Sequence, residues 1–172
     1  EKELNGIMGV FEELLEDVPW VEWVDLVIVF YIRMPEDILP EATAVITKKN
    51  MAFWNTSVVE LYQLSVGNLR KETISLIPVE TGIWILRKDV QKYGAAAIIL
   101  PEVQSMCAEK AGADFYMIPR SLHECIIISD KGTVNDLLKY INANPLEKED
   151  QLSDNVYHYD FVKHRFDYYV SK

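Results

Sequence analysis

The chain is poor in the residues that phosphate, metal and nucleic-acid chemistry usually draw on. Seven glycines in 172 residues, with no G-x-G-x-x-G and no G-x-x-x-x-G-K-[ST], leave little backbone for a loop that cradles phosphate. Two cysteines, Cys107 and Cys125, do not form Cys-x-x-Cys, so neither a thioredoxin-type redox motif nor a paired-cysteine zinc module is expected. Of the three histidines, His158 and His164 lie close together, but no third ligand is spaced to join them, and no metal or other cofactor is expected. Cations are scarce: 17 Lys and Arg against 27 Asp and Glu give a net charge of −10. Such a surface repels phosphate backbones, so nucleic acid is not an expected partner. No apolar run approaches the roughly 18 residues of a membrane span, no cationic-apolar leader pattern is present, and no internal repeat recurs. Both cysteines fall at apolar-patterned positions and are expected as free buried thiols, with a disulfide the rarer alternative, so the expected compartment is the cytoplasm.

What is present is an ordinary globular composition, 49% hydrophobic and 26% charged, with enough chain for one α+β domain over residues 1–172. The best-patterned stretch runs from Tyr93 to Asp130. Gly94 to Leu100 is a short apolar run bounded by Gly94 and Pro101, and its length and flanks favour a buried strand. Pro101 suits a first helical position, with Glu102 and Lys110 at the matching ends of the helix dipole and Gly112 as the stop. Val103, Met106 and Cys107 mark the inner face. Strands follow at Asp114–Ile118 and Glu124–Ser129, joined by a turn too short for a parallel crossover. Both faces of the second strand are largely apolar, as in a central strand covered on two sides.

That turn holds the polar cluster where chemistry is first sought: Arg120, Ser121, His123 and Glu124. A hydroxyl two residues from an imidazole has the composition of a nucleophile and its base, but a working pair needs a third group to orient the base, and none can be assigned. His123-Glu124 also begins H-E-x-x-H, yet the fifth residue is Ile127 and the segment is a strand, which excludes that zinc motif. The commoner fate of these groups is local: Ser121 and His123 bonding turn backbone, Glu124 meeting Arg120 or Lys131.

Ile118-Pro119-Arg120-Ser121-Leu122-His123-Glu124-Cys125, after Gly112-Ala113-Asp114-Phe115-Tyr116, resembles the signature of an uncharacterised bacterial family known only as a domain of unknown function. That family reads Leu-Pro-Ser-Ser-Ile-His-Glu-Val after a Gly-Ser-Asp-hydrophobic-Tyr run. Leu26–Tyr31, Thr56–Asn68 and Leu152–Tyr157 resemble its further blocks in the same order, so the resemblance spans the chain from about Leu15 onward. Arg120 replaces a small residue and Cys125 an aliphatic one. The resemblance implies no established activity, and it implies that this chain is the C-terminal part of a longer one.

Towards the N-terminus, Leu4, Ile7, Met8, Phe11, Leu14 and Leu15 make a helical stripe over residues 1–17, weakened by Gly6 and Gly9, which would pack on the domain or on an upstream segment. Val18-Pro19-Trp20 begins a connector, Val24–Ile32 is the strongest strand, and Arg33–Glu41 is a proline-punctuated loop. Ala42–Ile46 is expected to pair antiparallel with that strand. Thr47 caps a short helix to Trp54, and Ser57-x-x-Glu60 has capping-box spacing before a helix to Arg70. Met51, Phe53, Trp54 and Tyr62 form an aromatic set that cores usually absorb, or else a pocket with Trp54 and Tyr62 as ligand-binding candidates; Arg120 of the polar turn is a further, separate candidate. Ile74–Val79 and Gly82–Leu86 are extended around a turn, with Pro78 favouring a sheet edge. A helix capped by Thr133, an acidic connector over Glu147–Asp154, and a C-terminal hairpin complete the chain.

The pattern is an α+β fold, a mainly antiparallel or mixed sheet with helices packed on it, and its core should include Leu26, Ile28, Phe30, Ile98, Leu100, Tyr116, Ile118, Ile126 and Ile128. Two functions fit. One is a non-catalytic cytoplasmic interaction or regulatory module with a protein partner. The other is a small hydrolase-like enzyme or ligand-binding domain using His123 with Ser121 or Glu124.

Overall fold

A computed structural model of the chain describes residues 2–5, 12–33, 42–89, 92–131, 143, 152–153 and 155–169. It divides into two compact units, Glu1–Glu72 and Thr73–Lys172. The fold is α+β and mostly sheet, with every described strand pair antiparallel.

In the first unit the axis is β3, Leu26–Arg33. It pairs with β1 (Lys2–Asn5), β2 (Trp20–Trp23) and β4 (Thr43–Val45). The helices of this unit are α1 (Glu12–Asp17), α2 (Lys48–Trp54) and α3 (Val58–Leu69). Leu26, Ile28, Val29, Phe30 and Tyr31 are buried, as the β-branched and aromatic run requires. Two expectations are corrected in this unit. The N-terminal helix does not reach residues 2–5: that segment is a strand on β3, so ladder pairing outweighs a helical stripe already weakened by two glycines. Residues 20–23 are a strand rather than a connector, and Val24, expected within the main strand, sits in the hairpin turn at φ +57°. A β-branched residue is costly in that region, so nothing local announces the turn. Both caps form as their spacing predicts: Thr47 with Asn50 opens α2, and Ser57 with Glu60 opens α3.

In the second unit six strands run in the order β10-β9-β7-β8-β6-β5. They are β5 (Ile74–Glu80), β6 (Ile83–Lys88), β7 (Phe115–Ile118), β8 (Glu124–Ser129), β9 (Val156–Asp160) and β10 (Arg165–Tyr169). Pro78 lies on edge strand β5, beside a register shift, where its missing N–H costs no ladder bond. Ile83, Ile118, Ile126 and Ile128 form a buried cluster on one face of the sheet. The other face meets helix α4 (Pro101–Ala111): Ser129 Oγ donates to Ala111 C=O at 2.9 Å, and Phe115 stacks on Tyr159 at 4.8 Å between centroids.

The segment Gly94–Ile99 is a buried 3-10 helix, not the expected strand. A short apolar run has the same composition in either state, and periodicity cannot separate them. Contact decides it: the backbone at Gly94 lies so close to the sheet that a Cβ there would stand 2.3 Å from His123 O and 2.7 Å from Lys88 N. The alanines that follow are fully buried, and Ala95 N–H donates to Leu122 C=O at 3.3 Å. Of the predicted core only Tyr116 is half-buried. The Thr133-capped helix, the loop over 34–41 and most of the acidic connector lie outside the described residues.

Candidate functional site

The turn between β7 and β8 is built from its own polar groups. Ser121 N–H donates to Glu124 C=O at 3.2 Å, and Ser121 Oγ accepts from His123 N–H at 3.1 Å. Arg120 Nη1 donates to Glu124 Oε1 at 3.3 Å, the pairing expected from their spacing. His123 Nδ1 accepts from Tyr93 N–H at 3.1 Å, with the two rings tilted 5.8 Å apart. A backbone N–H can only donate, so Nδ1 is the unprotonated nitrogen and the neutral ring carries its proton on Nε2. Tyr93 itself sits at φ +57° at the mouth of the buried 3-10 segment. His123 therefore ties the turn to the start of that segment. Among the described residues no hydrogen bond joins Ser121 Oγ to the imidazole ring.

The aromatic set divides. Phe53 is 87% exposed and Trp54 44%, while Met51 and Tyr62 are half-buried. The expectation of core packing is thus corrected for Phe53 and Trp54. The reason is α2 itself, a short helix that buries none of its residues. A groove does run along α3 from Thr56 to Lys71, past Glu60, Gln63, Leu64 and Asn68, but neither Trp54 nor Tyr62 lines it. Its lining comes from that helix and the residues flanking it, so it is an open surface of one element.

The thiols are inert by environment. Cys107 and Cys125 are both free and buried; burial pushes the Cys107 thiol up to about 12 and the Cys125 thiol higher still, with the neighbouring Cys107 and Glu124 adding to the latter.

A second polar cluster escaped the sequence. Asp114, Asp130 and His158 offer one ligand atom each, all within 4.8 Å of one another. Strand alternation explains the gathering. Ile118, Tyr116 and Asp114 share a face, as do Ile126, Ile128 and Asp130, and the register pairing Tyr116 with His158 brings in the third. The pairing of Phe115 with Ser129 sets Asp114 opposite Asp130, a juxtaposition that the hairpin pattern could have signalled. The β7–β9 pairing had no such signal, because it joins segments remote in sequence. His164, the neighbour of His158 in sequence, instead has Nδ1 3.3 Å from Tyr159 Oη.

Fold and site together define an α+β protein with antiparallel sheets, a histidine-braced turn and inert thiols. The chain belongs to a family of unknown function, DUF5688, whose profile matches residues 11–80 and 70–161. No curated protein and no solved structure matches it.

Proposed function

We propose that this protein is a cytoplasmic, non-catalytic binding module that receives a protein partner on the segment from α2 to α3. The carrying observation is the exposure of Phe53 (87%), Trp54 (44%), Val59 (64%) and Leu64 (63%) on two successive helices. A helix as short as α2 is not stable alone and ordinarily earns its place by burying an apolar face. None of its residues is fully buried and its aromatics turn outward, which supports a surface that meets another protein. The partner's matching face is apolar with a basic rim, because Glu60 lies among these residues and the chain carries a net charge of −10. Two buried free thiols agree with a reducing compartment, and no described helix is long and apolar enough to cross a membrane.

What favours this reading over a hydrolase-like one is the engagement of the polar turn. His123 Nδ1 is taken by Tyr93 N–H and Glu124 by Arg120. A general base needs a free nitrogen within reach of the proton it removes. The test is a photo-crosslinking amino acid at position 53, compared with the same group at position 163 on the second unit. The expected result is a single protein adduct at 53 that weakens with salt and disappears in Leu64→Glu. Equal labelling at both positions, or an adduct indifferent to Leu64→Glu, rejects the proposal.

A further inference from the structure

The geometry points to a divalent-cation site formed by Asp114, Asp130 and His158, at the end of the β7–β8 hairpin and beside β9. His158 Nε2 lies 3.8 Å from Asp114 Oδ2 and 4.0 Å from Asp130 Oδ1. Neither separation is a hydrogen bond, which needs about 2.7–3.2 Å between nitrogen and oxygen. Metal bonds of about 2.1 Å set donors about 3.4 Å apart at the tetrahedral angle, so both gaps come within reach of one ion once they close by roughly half an ångström. The two carboxylates lie within 4.8 Å of each other, so the exposed Asp130 side chain would have to turn inward to share the ion.

Two of the three donors are held in place by the groups behind them. Asp114 Oδ1 accepts Phe161 N–H at 2.9 Å, which leaves Oδ2 turned toward the imidazole. The His158 ring packs against Tyr116 with centroids 5.1 Å apart. Supporting contacts of this kind fix ligand orientation in metal sites. An ordinary surface ion pair has no need of them. Of the three, the Asp130 side chain is the most open at 45% exposure, so the remaining coordination positions face water.

One imidazole nitrogen with two carboxylate oxygens selects a first-row transition cation. Zn²⁺ is held more tightly than Mn²⁺ by such a set, and Mg²⁺, which prefers oxygen alone, binds least. The site is independent of the α2–α3 surface and stands or falls separately from it.

The test is titration of the full chain, stripped with chelator, by calorimetry with Zn²⁺, Mn²⁺ and Mg²⁺ at physiological salt. The expected result is one Zn²⁺ per chain, tighter than Mn²⁺, with affinity falling about tenfold or more in His158→Gln and in Asp130→Asn. His164→Gln, removing the neighbouring histidine outside the cluster, keeps the parental affinity. Mn²⁺ broadening of the Tyr116 and Phe161 amide signals places the ion independently of any variant. If His158→Gln does not fold, Asp130→Asn at an exposed position carries the comparison. Zn²⁺ binding unchanged by both variants, Mg²⁺ binding as tight as Zn²⁺, or no binding at millimolar metal each overturns the proposal and leaves the cluster as an acidic surface.

Discussion

Alanine at position 94 will loosen the second unit through a backbone clash that no side-chain rotation can relieve. A Cβ at Gly94 would lie 2.3 Å from His123 O and 2.7 Å from Lys88 N, and Cβ atoms are not found closer than 3.0 Å. The 3-10 segment must therefore retreat by about 0.7 Å, from 2.3 to 3.0 Å, from His123 O in the turn before β8 and from Lys88 N at the end of β6. Overpacking of this kind costs about 1–3 kcal/mol. The retreat also stretches two hydrogen bonds, Ala95 N–H to Leu122 C=O at 3.3 Å and Tyr93 N–H to His123 Nδ1 at 3.1 Å. Each is worth about 1 kcal/mol net, so the expected loss is about 3 kcal/mol or more. Native-state hydrogen exchange of the β6 and β8 amides measures it within this unit, without assuming that the chain unfolds in one step. Their protection should fall by about a hundredfold, since 1.4 kcal/mol is a factor of ten. Protection within about threefold of the parent would refute the reasoning, because it would mean that the Gly94 approach is not constrained.

Gly67 provides the opposite case: it lies inside α3 with nothing within 4 Å of an added Cβ, so Gly67→Ala should stabilise the first unit by about 0.5–1 kcal/mol in urea unfolding. Ser57→Ala removes the α3 cap and should cost about 1 kcal/mol in the same assay. Glu60 has its carboxyl held below the ordinary 4.5 by the Ser57 backbone N–H first, then by the Ser57 and Thr56 hydroxyls. Its contribution is therefore complete above pH 4.5 and is lost as pH falls through the lower folded value, so Glu60→Gln should flatten the acid limb of α3 melting followed by circular dichroism. Cys107 and Cys125, with pKa values raised by burial, should resist iodoacetamide at pH 8 in the native protein and label together only on unfolding, as mass spectrometry will show.

Local chemistry was legible in the sequence wherever neighbours in the chain settle the outcome. The two N-caps, Pro101 and Gly112 around α4, the β7–β8 hairpin and the edge position of Pro78 all follow from residues within a few positions of one another. Failures came where a distant surface decides. Residues 2–5 are a strand because β3 offers its edge, and Gly94 is required where the buried 3-10 segment meets the backbone of Lys88 and His123. Phe53 and Trp54 were expected inside because aromatics usually are; only the placement of α2 turns them outward.

The candidate sites divide along the same line. The residues that looked chemical, Ser121, His123 and Glu124, lie in one turn and bond mostly within it, hydroxyl to His123 N–H and carboxylate to Arg120, while the imidazole reaches the Tyr93 backbone 30 residues away. These contacts commit His123 Nδ1, Ser121 Oγ as an acceptor and Glu124 Oε1 to holding the turn. Asp114, Asp130 and His158 show the reverse. They come from three segments that only the sheet register unites, and His158 Nε2 stands 3.8 and 4.0 Å from two carboxylates without bonding either. Like charges gathered at one strand end cost stability unless something offsets them. Here the neighbouring Lys131 is turned toward Gly112, its Nζ 3.2 Å from where a Cβ would stand there. A cation bound among the three side chains would balance the two carboxylates. Metal binding then stabilises the second unit, because the cation binds the folded cluster and not the unfolded chain. Slower exchange of the β7 and β8 amides on adding Zn²⁺, abolished in Asp130→Asn, is the expected result, and exchange unchanged by Zn²⁺ refutes it.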